Sequence, residues 1–476
     1  MRPADWASTA ARPRRFDLTT ERENFRKRYE GFGESKQLRN LLRDLTALEA
    51  THVLIEAPYV DWDYRAEYSQ LYSREFNPPP DKAERLLFFS GERFLGFAVM
   101  RPTPKPIGRT ALAPPPEILP AACCLAPHHV RPAGQRHSAN AYPFISQDGQ
   151  YGRCAHAAIW SIVRYHHLRQ GTAKHSIAAV VEAAGTRETI DRTFASGGLH
   201  LHEVARAFRR LGLPAVMYDL KKLPTIEGRQ ESFEQIARRY LDSGFPIALN
   251  TDAHLTVLIG YGYDADDELI FLRSDDNRRP YEVVRKWTNS QDRLGAWQML
   301  LVPLPGRIHV PCEHAEVAAR LEARRAAGVN RKTLVFRQRL HDGKVRLRTY
   351  AIDSPEYKCA LPNRMPPLPD VIVRHHQSLP LASWIWVTEF HDVDVPQTEP
   401  GRVLGEIVID ATSHYLNPRP LIANLPGFCY AWLPGERDPR RPTETGETMH
   451  YGSALPARAV RPSREREEPE SLVSVP

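Results

Sequence analysis

Cys154 is the residue best placed to do chemistry in this sequence. It follows Gln147, Asp148, Gly149, Gln150, Tyr151, Gly152 and Arg153, and it directly precedes an apolar helical pattern in which Ala155, Ala158, Ile159, Ile162 and Val163 share one face. A thiol at a helix N-terminus meets the positive end of the helix dipole, which favours the thiolate, the nucleophilic form. A lone cysteine is more often a small buried hydrophobe, so the reading depends on finding a base for it. One stands 254 − 154 = 100 residues on, where Pro246–Asn250 is followed by His254 and the apolar run Leu255–Tyr263. This reads as two strands with a histidine at the mouth of the second. A polar turn over Asp264–Asp267 returns the chain as Glu268–Ser274, which ends in Asp275, Asp276 and Asn277. In an antiparallel hairpin centred near 265, the position facing 254 is close to 276. Asp275, Asp276 and Asn277 are therefore all candidates to accept a hydrogen bond from the imidazole and fix its tautomer. A histidine so oriented serves a cysteine nucleophile first as base and then as acid.

Glutamine, then cysteine at a helix start, then histidine at a strand start, then an acid or amide closing the hairpin: this order resembles the papain-like cysteine peptidase superfamily. The closer likeness is to its bacterial branch similar to the leader-peptide-cleaving domains of bacteriocin exporters. It covers 303 − 142 + 1 = 162 residues, about a third of the 476. The resemblance implies Cys154 as nucleophile, His254 as general base and acid, and Asp275 as the third member, whereas the hairpin count alone favours Asp276 or Asn277. It also implies that Gln147, 154 − 147 = 7 residues before the cysteine, lends its amide to an oxyanion hole completed by the Cys154 backbone N–H. Gln150 competes for that role but has less chain in which to fold back. Two departures stand out. The usual Cys-Gly-Pro is here Cys154–Ala155–His156, and the spacing 275 − 254 = 21 is longer than the branch usually shows.

The elements around these residues define the expected architecture. A helix is predicted over Glu34–Ala50, with Leu38, Leu41, Leu42, Leu45 and Leu48 on one face; then a strand at His52–Ile55, a helix through Tyr64–Tyr72, and a hairpin of Leu86–Ser90 and Phe94–Met100. Seven prolines between Pro102 and Pro120 argue against a regular helix or central strand there and mark a boundary. From Tyr142 to Leu304 the pattern is three helices and then several strands, with Ser232–Gln235 a capping box. A helix over Glu313–Ala327 opens the C-terminal third. It continues with a predicted hairpin of Thr333–Leu340 and Val345–Tyr350 about Asp342–Gly343, and strands at Trp384–Phe390 and Val403–Asp410. The expected fold class is α+β. A papain-like domain at 121–304, a helical half plus an antiparallel sheet, lies between an α+β region at 21–120 and a β-rich region at 305–433. An unstructured leader occupies 1–20 and a Pro- and charge-rich tail 434–476.

Composition narrows the function classes. Hydrophobic residues are 42% and charged residues 25%, which excludes wholesale disorder, while 41 prolines in 476 residues exceed the usual ~5% and cluster in linkers. The net charge of +7 arises from 64 interspersed basic and 57 acidic residues and is only weak evidence for a nucleic-acid partner, a basic nucleic-acid-binding protein having no other support, so none is expected. The basic run Arg12–Arg28 is offset by Asp17, Glu21 and Glu23 and reads as a solvated helix face. Six cysteines without regular spacing form no disulfide framework, which fits a reducing compartment. Met1–Thr20 lacks the apolar run of a secretory signal, and no apolar stretch approaches the ~20 residues that span a bilayer, so a cytoplasmic location away from membranes is expected.

Weaker signals add no second site. Cys123 and Cys124 with His128 and His129 lack a second ligand pair at finger-like spacing, so no metal is expected. Glu406 and Asp410 lie about 14 Å apart along one strand face, too far for a glycosidase pair. Neither a Walker-type nor a dinucleotide glycine motif is present, and no cofactor is expected. The expected activity is that of a cysteine peptidase forming a thioester acyl-enzyme on a protein or peptide substrate. The alternatives are a catalytically silent papain-like interaction module, and a deamidase or transglutaminase-type acyl transferase using the same residues.

Overall fold

The computed structural model describes residues 14–30, 36–103, 105–116, 120–147, 154–185, 199–226, 228–251, 254–264, 266, 268–285, 297–326, 331–395, 402–414, 418–432 and 453. The fold is α+β and is built on three antiparallel sheets. In the first, the strands run in the order Arg14–Asp17, His52–Tyr59, Ala83–Ser90, Arg93–Met100, Ile107–Leu112 and Phe144–Ile145. The helix Lys36–Ala47 lays Leu38, Leu41 and Leu45 against one face of it. The helix Trp62–Gln70 is started by Asp61, whose side chain accepts the Asp63 and Tyr64 N–H groups.

The second sheet runs Ala215–Asp219, Trp297–Pro303, Ile247–Thr251, Leu255–Tyr263, Leu269–Ser274 and Glu282–Arg285. Pro120–Cys123 takes over beside the later half of Leu255–Tyr263. Gly260 is required at that crossing, because a Cβ there would lie 2.4 Å from the Ala122 carbonyl oxygen. Four helices pack with this sheet: Cys154–Gln170, Ile177–Ala184, Leu201–Arg210 and Phe233–Asp242. That is one more than expected, with the strand Ala215–Asp219 between the last two. The capping box of Ser232 and Gln235 is formed. Cys154–Gln170 is buried on every side from Ala155 to His166, as its near-continuous apolar sequence demands.

The third sheet, Val345–Asp353, Trp384–Asp392, Val403–Asp410, Pro420–Leu425 and Phe428–Ala431, is accompanied by the helices Cys312–Ala326, Arg331–His341, Ser354–Ala360 and Asp370–Ser378. Trp386 and Phe390 join the same apolar core as Ile159, Ile162 and Leu258. Arg348 pairs with the buried Asp242 at 3.0 Å, tying the third sheet to the helix Phe233–Asp242.

Three expectations are corrected. Thr333–Leu340 is not a strand but lies in the helix Arg331–His341; Thr333 and Phe336 are buried and Leu340 packs on the core at helical spacing. Its Asp342–Gly343 is a helix stop, since Gly343 takes φ +70° and the Lys344 N–H returns to the Arg339 carbonyl at 2.9 Å. The proline-rich stretch does hold a central strand. Ile107–Leu112 pairs on both sides, and its flanking Pro106 and Pro114 lie outside the ladder. Arg14–Asp17, assigned to an unstructured leader, is an edge strand beside His52–Ile55. The rest of the leader, 1–13, and most of the tail fall outside the described residues. Among the described residues no helix is long and apolar enough to cross a membrane.

Candidate active site

Cys154 is the first residue of its helix and is half-buried. His254 stands immediately before the strand Leu255–Tyr263, and Asp275 immediately after the paired strand Leu269–Ser274. The register Val257↔Ser274 carries the ends of both strands to one corner of the sheet. There the His254 Nε2–H donates to Asp275 Oδ1 at 2.9 Å. The ring is also hydrogen-bonded to the Cys154 thiol. With Nε2 committed to the carboxylate, Nδ1 is the ring nitrogen left for other partners.

The electrostatics follow from this arrangement. Burial acts to lower the His254 pKa, but the hydrogen bonds to Asp275 and Cys154 and the charges of Asp275 and Asp276 outweigh it, and the imidazole is pushed up to about 10. Asp275 moves the opposite way. Burial acts to raise it, and the His254 hydrogen bond and charge, with the Asn277 N–H, hold it below the ordinary carboxylate value. The corner therefore favours an imidazolium beside a carboxylate at neutral pH.

The three candidates for the acid separate clearly. Asp275 touches the ring. Asp276 is buried, with Oδ1 3.8 Å from Nε2, and is pushed up to about 7 by burial against the opposing pull of His254. Asn277 turns its side chain to Gln147, whose Nε2–H donates to Asn277 Oδ1 at 2.5 Å. Gln147 is thus brought to the same corner, bonded to the turn after Asp275. Gln150 lies outside the described residues.

Residues from the first sheet and its helices brace three segments around this corner, and the sequence reading found no role for them. Asp63 accepts hydrogen bonds from Trp160 Nε1 at 2.9 Å and Arg164 Nη2 at 2.8 Å, both on the cysteine-bearing helix. Arg101, fully buried and paired with Glu67 at 3.1 Å, donates to the Ser146 carbonyl at 3.1 Å, next to Gln147. Asn40 Nδ2 donates to the Arg278 carbonyl at 2.6 Å, and Asp44 pairs with Arg279 at 3.1 Å, both in the turn that follows Asp275. One signal for this was legible: an arginine at 164 inside the apolar run Ile159–Tyr165 requires a buried acid from elsewhere.

No family model matches the chain, and no curated protein sequence matches it. A solved structure titled as UfSP from C. elegans matches with a TM-score of 0.24 and 14% identity, over 34% of this chain and 33% of that one. A likeness at that level carries no argument about activity.

Proposed function

We propose that the chain is a cysteine-dependent hydrolase, a papain-like peptidase that acts on protein or peptide substrates through a thioester. The observation that carries this reading is the hydrogen-bonded series Cys154, His254, Asp275, in which the imidazole is held protonated near neutral pH and so can stabilise a thiolate. The Cys154 thiolate attacks the substrate carbonyl carbon. The oxyanion is met by the Cys154 N–H and by the Gln147 amide, which must first leave Asn277. His254 then gives its proton to the leaving amine, the C–N bond breaks, and the acyl group remains on sulfur. A water loses its proton to His254 as it attacks the thioester, and cleavage of the C–S bond releases the acid and restores the pair. Asp275 orients the ring throughout.

The same series can pass the acyl group to an amine, or release ammonia from a glutamine side chain, so the products decide the reaction. All six cysteines are free, in keeping with a cytoplasmic protein. The wild type and Cys154→Ala are incubated with a peptide library drawn from a bacterial proteome, and new termini and mass shifts are read by mass spectrometry. New N-termini that depend on Cys154 support the peptidase. Cys154-dependent conversion of glutamine to glutamate supports the deamidase instead, and identical product lists from both proteins contradict a hydrolase.

A further inference from the structure

Asp276 is not accounted for by the proton relay. Its side chain is 5% exposed, and neither carboxylate oxygen has a hydrogen-bond partner. It also adjoins a second carboxylate, Asp275. A buried carboxylate without hydrogen bonds is costly and calls for a compensating positive charge. His254 Nε2 is 3.8 Å from Asp276 Oδ1, beyond hydrogen-bonding range, and is already engaged by Asp275 at 2.9 Å. One imidazolium therefore faces two acids.

The geometry suits a metal ion. One nitrogen of His254 and one oxygen each of Asp275 and Asp276 lie within 4.8 Å of one another, and among the described residues no other three His, Cys, Asp or Glu side chains converge in this way. A tetrahedral zinc with bonds of about 2.0–2.1 Å sets its ligand atoms about 3.3–3.4 Å apart. The two separations from His254 Nε2, 2.9 and 3.8 Å, bracket that edge, and the remaining one between the two carboxylates is within 4.8 Å. Imidazole with two carboxylates suits zinc better than calcium or magnesium, which take mainly oxygen ligands.

We propose that His254, Asp275 and Asp276 form a divalent-cation site, selective for zinc-like ions, that switches the candidate active site off. On binding, His254 Nε2 releases its proton to solvent and gives its lone pair to the ion, each carboxylate supplies one oxygen, and water completes the coordination. Two carboxylates balance the two positive charges. The inhibitory consequence rests on the hydrolase reading. A ring metallated at Nε2 keeps its Nδ1 proton, because giving it up would leave an imidazolate; His254 then neither protonates the leaving amine nor takes a proton from water, and turnover stops.

The test reads the metal directly, so it stands apart from any activity. Full-length wild type, Cys154→Ala and Asp276→Asn are titrated with zinc chloride at pH 7.5 against a chromophoric chelator, with folding checked by circular dichroism. The expected result is one tight zinc in wild type and in Cys154→Ala, weakened at least tenfold in Asp276→Asn. Cobalt(II) in wild type should show visible bands without a thiolate charge-transfer band. Equal binding by Asp276→Asn, or loss of binding in Cys154→Ala together with a thiolate band, overturns the site. If zinc binds as expected but Cys154 proves unreactive in the metal-free protein, the hydrolase reading falls and the metal site stands.

Discussion

The Asp63 carboxylate is shared between Trp160 and Arg164, two residues of the helix that begins at Cys154, with one oxygen on the indole N–H and the other on the guanidinium. Asp63 is 1% exposed, so the contact is a buried charge pair joining the first sheet's helix Trp62–Gln70 to the element that presents the thiol. Removing one partner of such a pair leaves the other charge uncompensated, at a cost of about 3–5 kcal/mol. Asp63→Ala is therefore expected to lose stability of that order in urea denaturation. Asp63→Asn, which keeps an acceptor for Trp160, should lose less. Cys154 alkylation should slow in both.

Arg101 acts on the other side of the cysteine. It holds the carbonyls of Ile107 and Ser146 and the Glu67 carboxylate, and Ser146 immediately precedes Gln147. Arg101→Lys keeps the charge but cannot reach all three partners. Its expected effect is a fall in turnover of about tenfold with little change in KM, together with partial loss of stability. An unchanged kcat would show that Gln147 does not depend on this anchor.

Gln147 and Asn277 are bonded to each other in the resting protein. An oxyanion-hole donor contributes about 10²–10³ in kcat. Gln147→Ala should lose that factor, whereas Asn277→Ala, which frees the amide, should retain activity. Equal losses in the two variants would place the pair in the fold rather than in the reaction.

Three buried histidines set the behaviour in acid. Burial pushes His128 and His376 down to about 3 and His166 down to about 4, so each stays neutral in the folded chain. Their pKa values are depressed below the unfolded value near 6.5, so stability from them is complete above that pH and is lost as pH falls toward 3–4. Each contributes a slope of about 1.4 kcal/mol per pH unit over that window. Denaturant midpoints measured from pH 7 to pH 4 should fall in wild type and fall less steeply in His166→Gln.

Local pattern made much of the candidate site legible. The cysteine before an apolar helix, the histidine at a strand start and the acidic end of the returning strand are all periodicity and turn signals, and hairpin counting brought 254 within one residue of its partner. The choice of Asp275 over Asp276 lay beyond counting: the register Val257↔Ser274 continued outward sets 254 opposite 277, and the contact with Asp275 forms past the ends of both strands, where the ladder no longer fixes the pairing. The supports from Asn40, Asp44, Asp63 and Arg101 had no local signature, since each acts through partners far along the chain. Asp342–Gly343 misled for a different reason. The same dipeptide suits a hairpin turn and a helix end, and only the burial of Thr333 and Phe336 decides between them.

The central claim is that Cys154 and His254 form an ion pair oriented by Asp275. It is tested most directly by the rate of iodoacetamide alkylation of each cysteine against pH, read by peptide mass spectrometry on metal-free wild type, His254→Ala and Asp275→Ala. The account predicts that Cys154 reacts far faster than the other five below pH 7. The advantage should persist until His254 deprotonates near pH 10, vanish in His254→Ala and diminish in Asp275→Ala. A Cys154 no faster than its neighbours below pH 7, or one whose rate ignores His254, would contradict it.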